Sequence, residues 1–121
     1  MWDEDPATFT VTAVNDAPVV SDIPDQTITE GQSFAIINLD DYVSDVDNAD
    51  NELIWSYTGN TGLIVTIVDR TAMVSAPNGE WIGSETITFR ATDPGGLWDE
   101  DAATFTVTEN IRTIFLPMIL R

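Results

Sequence analysis

An eleven-residue segment occurs twice in this chain. Residues 2 to 12 are Trp-Asp-Glu-Asp-Pro-Ala-Thr-Phe-Thr-Val-Thr, and residues 98 to 108 repeat them with Ala102 in place of Pro6. The copies lie 96 residues apart. That spacing is close to the roughly 100 residues of an immunoglobulin-sized sandwich and much longer than a helical repeat unit. The sequence therefore predicts a tandem array of whole domains.

The repeat also sets the domain boundaries. Residues 1–13 are predicted to be the last strand of a preceding repeat and residues 14–18 an interdomain linker. Residues 19–109 then form one complete domain, and residues 110–121 form a C-terminal tail. Repetition at this scale favours a spacer or adhesion role without catalysis, because an enzyme rarely needs its active site copied along a chain.

The apolar residues follow the period of a β-strand. Between residues 85 and 91, Ile87, Phe89 and Ala91 alternate with polar residues, as a half-buried antiparallel strand requires. No segment sustains the 3.6-residue period of a helix. Turn residues separate the runs, and the predicted strands are 19–23, 27–30, 33–37, 53–57, 63–68, 71–75, 85–91 and 103–107.

This pattern predicts an all-β fold, a seven-stranded antiparallel Greek-key β-sandwich of the cadherin or immunoglobulin type. Trp55 is the expected central anchor, because a mid-strand aromatic side chain buries a large area. The predicted core consists of Ile36, Trp55, Tyr57, Val65, Ile67, Val74, Ile87, Phe89, Phe105 and Val107.

The chain is strongly acidic, with 21 Asp and Glu residues against four Arg and a formal net charge of −17. Such a charge repels phosphate backbones, so nucleic acid is excluded as a partner. Clustered carboxylates are suitable oxygen ligands for Ca²⁺, although acidity alone also serves solubility. Because the chain has no Cys and no His, it offers neither disulfides nor the usual ligands of Zn²⁺.

Three short segments resemble the cadherin-like repeats of large bacterial surface and secreted proteins. Residues 14–18, Val-Asn-Asp-Ala-Pro, are similar to the interdomain motif of that family. Residues 43–48, Val-Ser-Asp-Val-Asp-Asn, resemble its Asp-x-Asp segment, and residues 91–96, Ala-Thr-Asp-Pro-Gly-Gly, resemble its Ala-x-Asp-x-Gly turn. Glu30 matches an early glutamate of the family, and the resemblance spans residues 14 to 109.

The resemblance implies Ca²⁺ between consecutive domains and a secreted or cell-surface protein whose partners are its own neighbouring repeats. It assigns metal binding to Asn15, Asp16, Asp45, Asp47 and Asp93. Sandwich topology also predicts that the linker and two loops meet at one end of the domain. The acidic residues expected there are Asp16, Asp45, Asp47, Asp50, Asp93, Asp99, Glu100 and Asp101. The alternative is that Asp and Asn simply form solvated turns.

Other interpretations remain open from the sequence. A ligand-binding sandwich, for a carbohydrate or a protein, would use Trp2, Trp81 or Trp98 as a stacking platform. The segment 98–101 is expected to form a hairpin loop. Because residues 1–12 nearly repeat the last strand, a strand-swapped homodimer is a further prediction. The tail 111–121 is predicted to be an added edge strand, an apolar cover or a sorting signal, and the sequence has no transmembrane segment.

Overall fold

The protein is described by a computed structural model over residues 3–11 and 14–110. Within these residues the regular structure is nine short strands and two 3₁₀ turns, at Leu39–Tyr42 and Asp50–Glu52. In chain order the strands are β1 (Val19–Val20), β2 (Gln26–Thr29), β3 (Ile37–Asn38), β4 (Val43–Ser44), β5 (Ile54–Thr58), β6 (Ile64–Val68), β7 (Thr71–Ser75), β8 (Gly83–Thr92) and β9 (Trp98–Thr108).

The strands form two main sheets. One has the order β2-β9-β8-β5 and the other the order β3-β7-β6, while β1 pairs with β4. The predicted all-β sandwich is confirmed. Its seven-strand, wholly antiparallel Greek key is not confirmed in that detail, because β2 runs parallel to β9 and the turn Leu39–Tyr42 separates β3 from β4.

The long hairpin of β8 and β9 supplies the centre of the core. Ile87 lies opposite Ala103, and both side chains are buried. The ring of Phe105 packs edge-to-face against Phe34 and Phe89, with centroids 5.3 and 6.3 Å away. Such aromatic pairs add to the stability gained from burial of their area. β9 coincides with the whole second copy of the repeated segment.

Most of the predicted core is buried. The confirmed residues are Val65, Val74, Ile87, Phe89, Phe105 and Val107, and Trp55 and Ile67 are partly buried against them. Ile36 is 66% exposed and Tyr57 is 38% exposed, so these two predictions are wrong. Ile37 is the inward residue of its strand, and a one-residue error in register reverses the face of every side chain. Tyr57 lies on β5, at the edge of its sheet, where no neighbouring strand covers it.

The first copy of the repeat differs sharply from the second. Residues 3–11 are exposed and form no strand, and Phe9 is 91% exposed whereas its counterpart Phe105 is fully buried. The predictions for Trp2 and for the tail 111–121 lie outside the described residues. Over 3–11 and 14–110, the structure contains no helix with the length and apolar character needed to cross a bilayer.

Candidate linker site at one end of the sandwich

Three segments lie at the same end of the sandwich, as the topology predicts. β8 ends at Thr92, which pairs with the first residue of β9, Trp98, and with the first residue of β5, Ile54. The turn between β8 and β9 and the loop before β5 therefore lie side by side. We call this end the linker pole; it consists of residues 14–18, 45–53 and 93–97.

Asp93 joins the linker to the turn between β8 and β9. Its side chain is only 3% exposed. One carboxylate oxygen accepts a hydrogen bond from the backbone of Leu97 at 2.9 Å, and the other accepts one from the side-chain amide of Asn15 at 2.8 Å. A β-carbon at Gly95 would lie 2.6 Å from that amide nitrogen. The turn therefore needs glycine at this position in order to admit Asn15.

Asp47 holds the next residue of the linker. Its Oδ2 accepts a hydrogen bond from the backbone N–H of Asp16 at 2.6 Å. The backbone N–H of Asp47 in turn donates to Oδ1 of Asp45 at 2.9 Å, which is the short-range pattern that fixes an Asx turn. Consecutive linker residues are thus bonded to two different loops of the domain.

Two oxygens of the same loop have no hydrogen-bond partner among residues 3–11 and 14–110. They are Oδ2 of Asp45 and Oδ1 of Asn48, and both atoms are buried. A buried acceptor without a partner is costly, and carboxylate and amide oxygens are the ligand types that Ca²⁺ takes. Yet within residues 3–11 and 14–110, no three acidic side chains form a group arranged to hold a metal ion. The five predicted ligands form two hydrogen-bonded sets, Asn15 with Asp93 and Asp16 with Asp47 and Asp45.

Asp99 and Asp101 were expected in the acidic cluster but have another role. Oδ2 of Asp99 accepts the backbone N–H of Val20 at 2.8 Å, and Oδ2 of Asp101 accepts that of Ile23 at 2.7 Å. The expected hairpin loop at residues 98–101 is wrong, because the turn closes earlier, at Asp93–Leu97. These carboxylates attach the first part of the domain to β9.

The tryptophans offer less stacking surface than the sequence suggests. The Arg90 guanidinium lies 3.6 Å from the centroid of the Trp98 ring and also bonds Glu100 at 2.9 Å, so one face of Trp98 is covered. Trp81 is partly buried against the core, and β-carbons at Gly62 and Gly83 would come within 2.6 and 3.1 Å of it. Trp2 lies outside the described residues.

Glu30 lies at the opposite end from the linker pole. Its carboxylate accepts the backbone N–H of Asn110 at 3.0 Å, just after the end of β9. Glu85, which the sequence did not single out, accepts four hydrogen bonds from residues 61–63. Partial burial favours the neutral acid, but these bonds outweigh it and lower the pKa of Glu85 to about 2. Only an isolated acid in a Thr-rich strand was visible in the sequence, which gives no sign of these partners.

Comparison with known proteins supports the fold and its class. The family model described as bacterial Ig domain matches residues 15–108. A solved endo-fucoidan hydrolase of glycoside hydrolase family 107 is similar in structure, with a TM-score of 0.52 and 22% identity. The similarity covers 84% of this chain but 17% of the hydrolase, so the chain spans less than a fifth of that protein.

No curated protein matches the chain. The match to the hydrolase concerns the fold alone. The family match covers the linker residues Asn15 and Asp16 together with the whole sandwich, and it confirms the predicted resemblance to an immunoglobulin-like bacterial repeat. The chain therefore belongs to the bacterial Ig domain family.

Proposed function

We propose that this domain is a non-catalytic spacer or adhesion repeat of a multidomain extracellular protein. The observation that carries the proposal is the attachment of the incoming chain at the linker pole. Asn15 bonds Asp93 and Asp16 bonds Asp47, so two consecutive linker residues are fixed to two loops. A linker held in this way directs the upstream chain along one path, whereas a free polar linker behaves as a flexible coil.

The linker is attached to the domain by hydrogen bonds to charged side chains. Both bonds end on carboxylates, and hydrogen bonds to charged groups contribute about 1.5–3 kcal/mol each, more than neutral ones. Asp93 is also buried, which reduces competition from water. Fixing the backbone of a residue costs about 1–2 kcal/mol of conformational entropy. The two bonds are therefore sufficient to offset the ordering of the residues that make them.

The proposal includes Ca²⁺ bound at the linker pole. The partnerless oxygens of Asp45 and Asn48 support it, as does the acidity of the chain. The ligands from the loop 45–53 would be Asp45, Asp47 and Asn48. The remaining ligands would be Asn15 and Asp16 of the linker and Asp93 of the turn between β8 and β9. A bound cation would neutralise carboxylates that otherwise repel one another, and by binding only the folded state it would raise stability.

Calcium titration tests this part of the proposal. We expect millimolar Ca²⁺, but not Mg²⁺, to raise the melting temperature of the chain. Asp47→Asn keeps an acceptor for Asp16 but removes the charge, so it should abolish most of the rise. Glu80→Gln makes the same chemical change in an exposed loop at the other end and should preserve it. A transition that stays at the same temperature in wild type at millimolar Ca²⁺ contradicts the metal proposal.

A ligand-binding module, for a carbohydrate or a protein, is the alternative. The observation in its favour is a shallow groove beside Trp98 on the outer face of the β5-β8-β9 sheet. Ser56, Thr88 and Glu100 line it. Tryptophan fluorescence against a glycan panel separates the two functions. A spacer gives no saturable quenching, whereas a carbohydrate module does.

The repeated strand also supports a strand-swapped homodimer of this chain. Phe9 and Val11 are exposed, while their counterparts Phe105 and Val107 are buried in the core. The segment 3–11 therefore carries a side-chain pattern that matches the place of β9 in a second copy. Light scattering over a concentration series should detect a dimer, and deletion of residues 1–12 should abolish it. A dimer that survives the deletion rules out the exchange.

A further inference from the structure

Each of the three segments of the linker pole carries one exposed apolar side chain. Val14, Val46 and Leu97 are 74%, 82% and 41% exposed. Val14 precedes Asn15 in the linker, and Val46 lies between the two aspartates of its loop. Leu97 donates its backbone N–H to Asp93. Val14 therefore lies in the linker, whereas Val46 and Leu97 lie in the two loops that bond it. We call these three side chains the apolar rim of the linker pole.

The length of the linker limits what can lie over this rim. Val11 corresponds to Val107 in the last strand of the domain, so the repeat indicates that an upstream domain ends next to it. Only five residue steps separate Val11 from Asp16. At about 3.3–3.6 Å per residue, even a fully extended chain spans no more than roughly 18 Å. The end of the upstream domain must therefore lie within about 18 Å of Asp16, close enough to reach the linker pole.

The outgoing end of the domain shows what such an upstream surface looks like. A cleft of about 290 Å³ opens there, and Gly31, Ala76 and Val107 line it together with the polar residues Gln32, Ser33, Ser75 and Asn78. Val11 is the upstream counterpart of Val107, so the same strand end borders the upstream domain at the junction. The acidic start of the upstream strand, residues 3–5, lies at the far end of that strand. Its charge is therefore remote from the linker pole.

We propose that Val14, Val46 and Leu97 dock onto the outgoing end of the preceding repeat. The inference rests on the proposed spacer function and names the partner of its linker pole. Burying these side chains removes apolar surface from water, a gain that needs no metal ion. Repeated head to tail along the array, such a contact gives an extended string of domains rather than a closed ring.

The test uses the natural protein segment that contains this chain and the complete preceding repeat. Spin labels on Thr10→Cys and Thr58→Cys report the distance across the junction by pulsed electron paramagnetic resonance, since Thr58 is exposed on β5. We expect one narrow distribution in the parent segment. Val46→Thr with Leu97→Thr should shift the ratio of docked to undocked forms by roughly tenfold or more, since each change places a hydroxyl where docking would bury apolar surface.

Ile64→Thr with Met73→Thr is the matched control, because both residues are exposed on the other sheet, away from the junction. It should leave the distribution narrow. In the 121-residue chain, the Val46 and Leu97 changes should leave the melting temperature unchanged, which excludes misfolding as the cause. A broad distribution in the parent segment, or an identical one in the double variant, overturns the docking.

Repeating the measurement with a chelator separates this inference from the calcium proposal. A distribution that is narrow without Ca²⁺ and broadens in the double variant supports docking, even if Ca²⁺ leaves the melting temperature unchanged. A distribution that is narrow only with Ca²⁺ and does not respond to the double variant overturns docking and leaves the metal as the stiffening agent.

Discussion

At the scale of single residues, carboxylates in this protein serve mainly as acceptors for backbone N–H groups. Glu85 illustrates the pattern. It lies on β8 and accepts three backbone N–H groups and one hydroxyl from residues 61–63. The loop between β5 and β6 thereby obtains partners that its own strands do not provide. The excess of acidic residues suggests a metal site, but some of these carboxylates instead provide hydrogen-bond acceptors for backbone N–H groups in loops.

Glu85 makes stability depend on pH in a defined direction. Its pKa falls from an ordinary 4.5 to about 2 on folding, so its stabilisation is complete above pH 4.5 and is lost as the pH falls towards 2. Glu85→Gln should lower the free energy of unfolding at pH 7 by about 1–2 kcal/mol, after allowance for solvent screening. Urea unfolding at several pH values measures this.

The contribution of Glu85 can be isolated with Glu80→Gln as the control. Glu80 is exposed, and its side chain accepts none of the hydrogen bonds in the described structure. That variant should follow the wild-type curve between pH 2 and pH 5, whereas Glu85→Gln should show a shallower loss of stability over this range. Parallel curves for Glu85→Gln and wild type would contradict the assignment.

At the scale of elements, the second copy of the repeated segment is a strand throughout its length. Its inward residues are apolar in the second half, and in the first half Asp99 and Asp101 accept backbone N–H groups from Val20 and Ile23. The first residues of the domain are thus held to β9 by these side-chain hydrogen bonds as well as by the pairing of β2 with β9. These hydrogen bonds explain why the acidic residues 99–101 are part of β9.

Asp101→Ala tests the contribution of the hydrogen bond between Ile23 and Asp101 to stability. The N–H of the buried Ile23 would lose its acceptor, and an unsatisfied buried donor costs about 1–3 kcal/mol. Glu100→Ala, one residue away, removes only a half-exposed pair with Arg90 and should cost at most about 1 kcal/mol. Chemical denaturation compares the two variants. Equal losses would show that Asp101 is no more than a surface charge.

The sequence predicts strands correctly where apolar and polar side chains alternate. It does not predict them where the structure depends on hydrogen bonds to distant backbone groups. The alternation predicts a strand at residues 103–107 but a loop at residues 98–101, because acidic residues are common in turns and their backbone partners are 78 or 79 residues away. Ile36 was placed inside instead of Ile37, since a strand of two residues carries no clear period. Leu39 is fully buried in a 3₁₀ turn and belongs to no alternating run.

The linker site was predictable in a different way. Alternation of loops between the two ends of a sandwich places residues 14–18, 45–53 and 93–97 together, and the structure does bring Asn15 to Asp93 and Asp16 to Asp47. The partners of each oxygen were not predictable, because they depend on backbone directions within the loops. Direct hydrogen bonds to the linker therefore stand where the sequence suggested only metal ligands.

At the scale of the whole molecule, the account depends on a linker that is part of the folded domain. Residues 3–11 are exposed and unpaired with any strand of the described structure, whereas residues 15 and 16 are bonded to the linker pole. The change from a free to a fixed chain occurs within a few residues. In an array this fixed segment sets the direction from one domain to the next.

Backbone ¹⁵N relaxation and amide hydrogen exchange of the linker test this claim most directly. The account predicts order parameters near 0.85 for Asn15 and Asp16, as in β8 and β9, and values below about 0.6 for residues 3–11 of the monomer. It also predicts slow exchange of the Asp16 amide, which becomes fast in Asp47→Ala. An Asp16 amide that exchanges freely in the wild type, with order parameters as low as those of residues 3–11, would contradict the account.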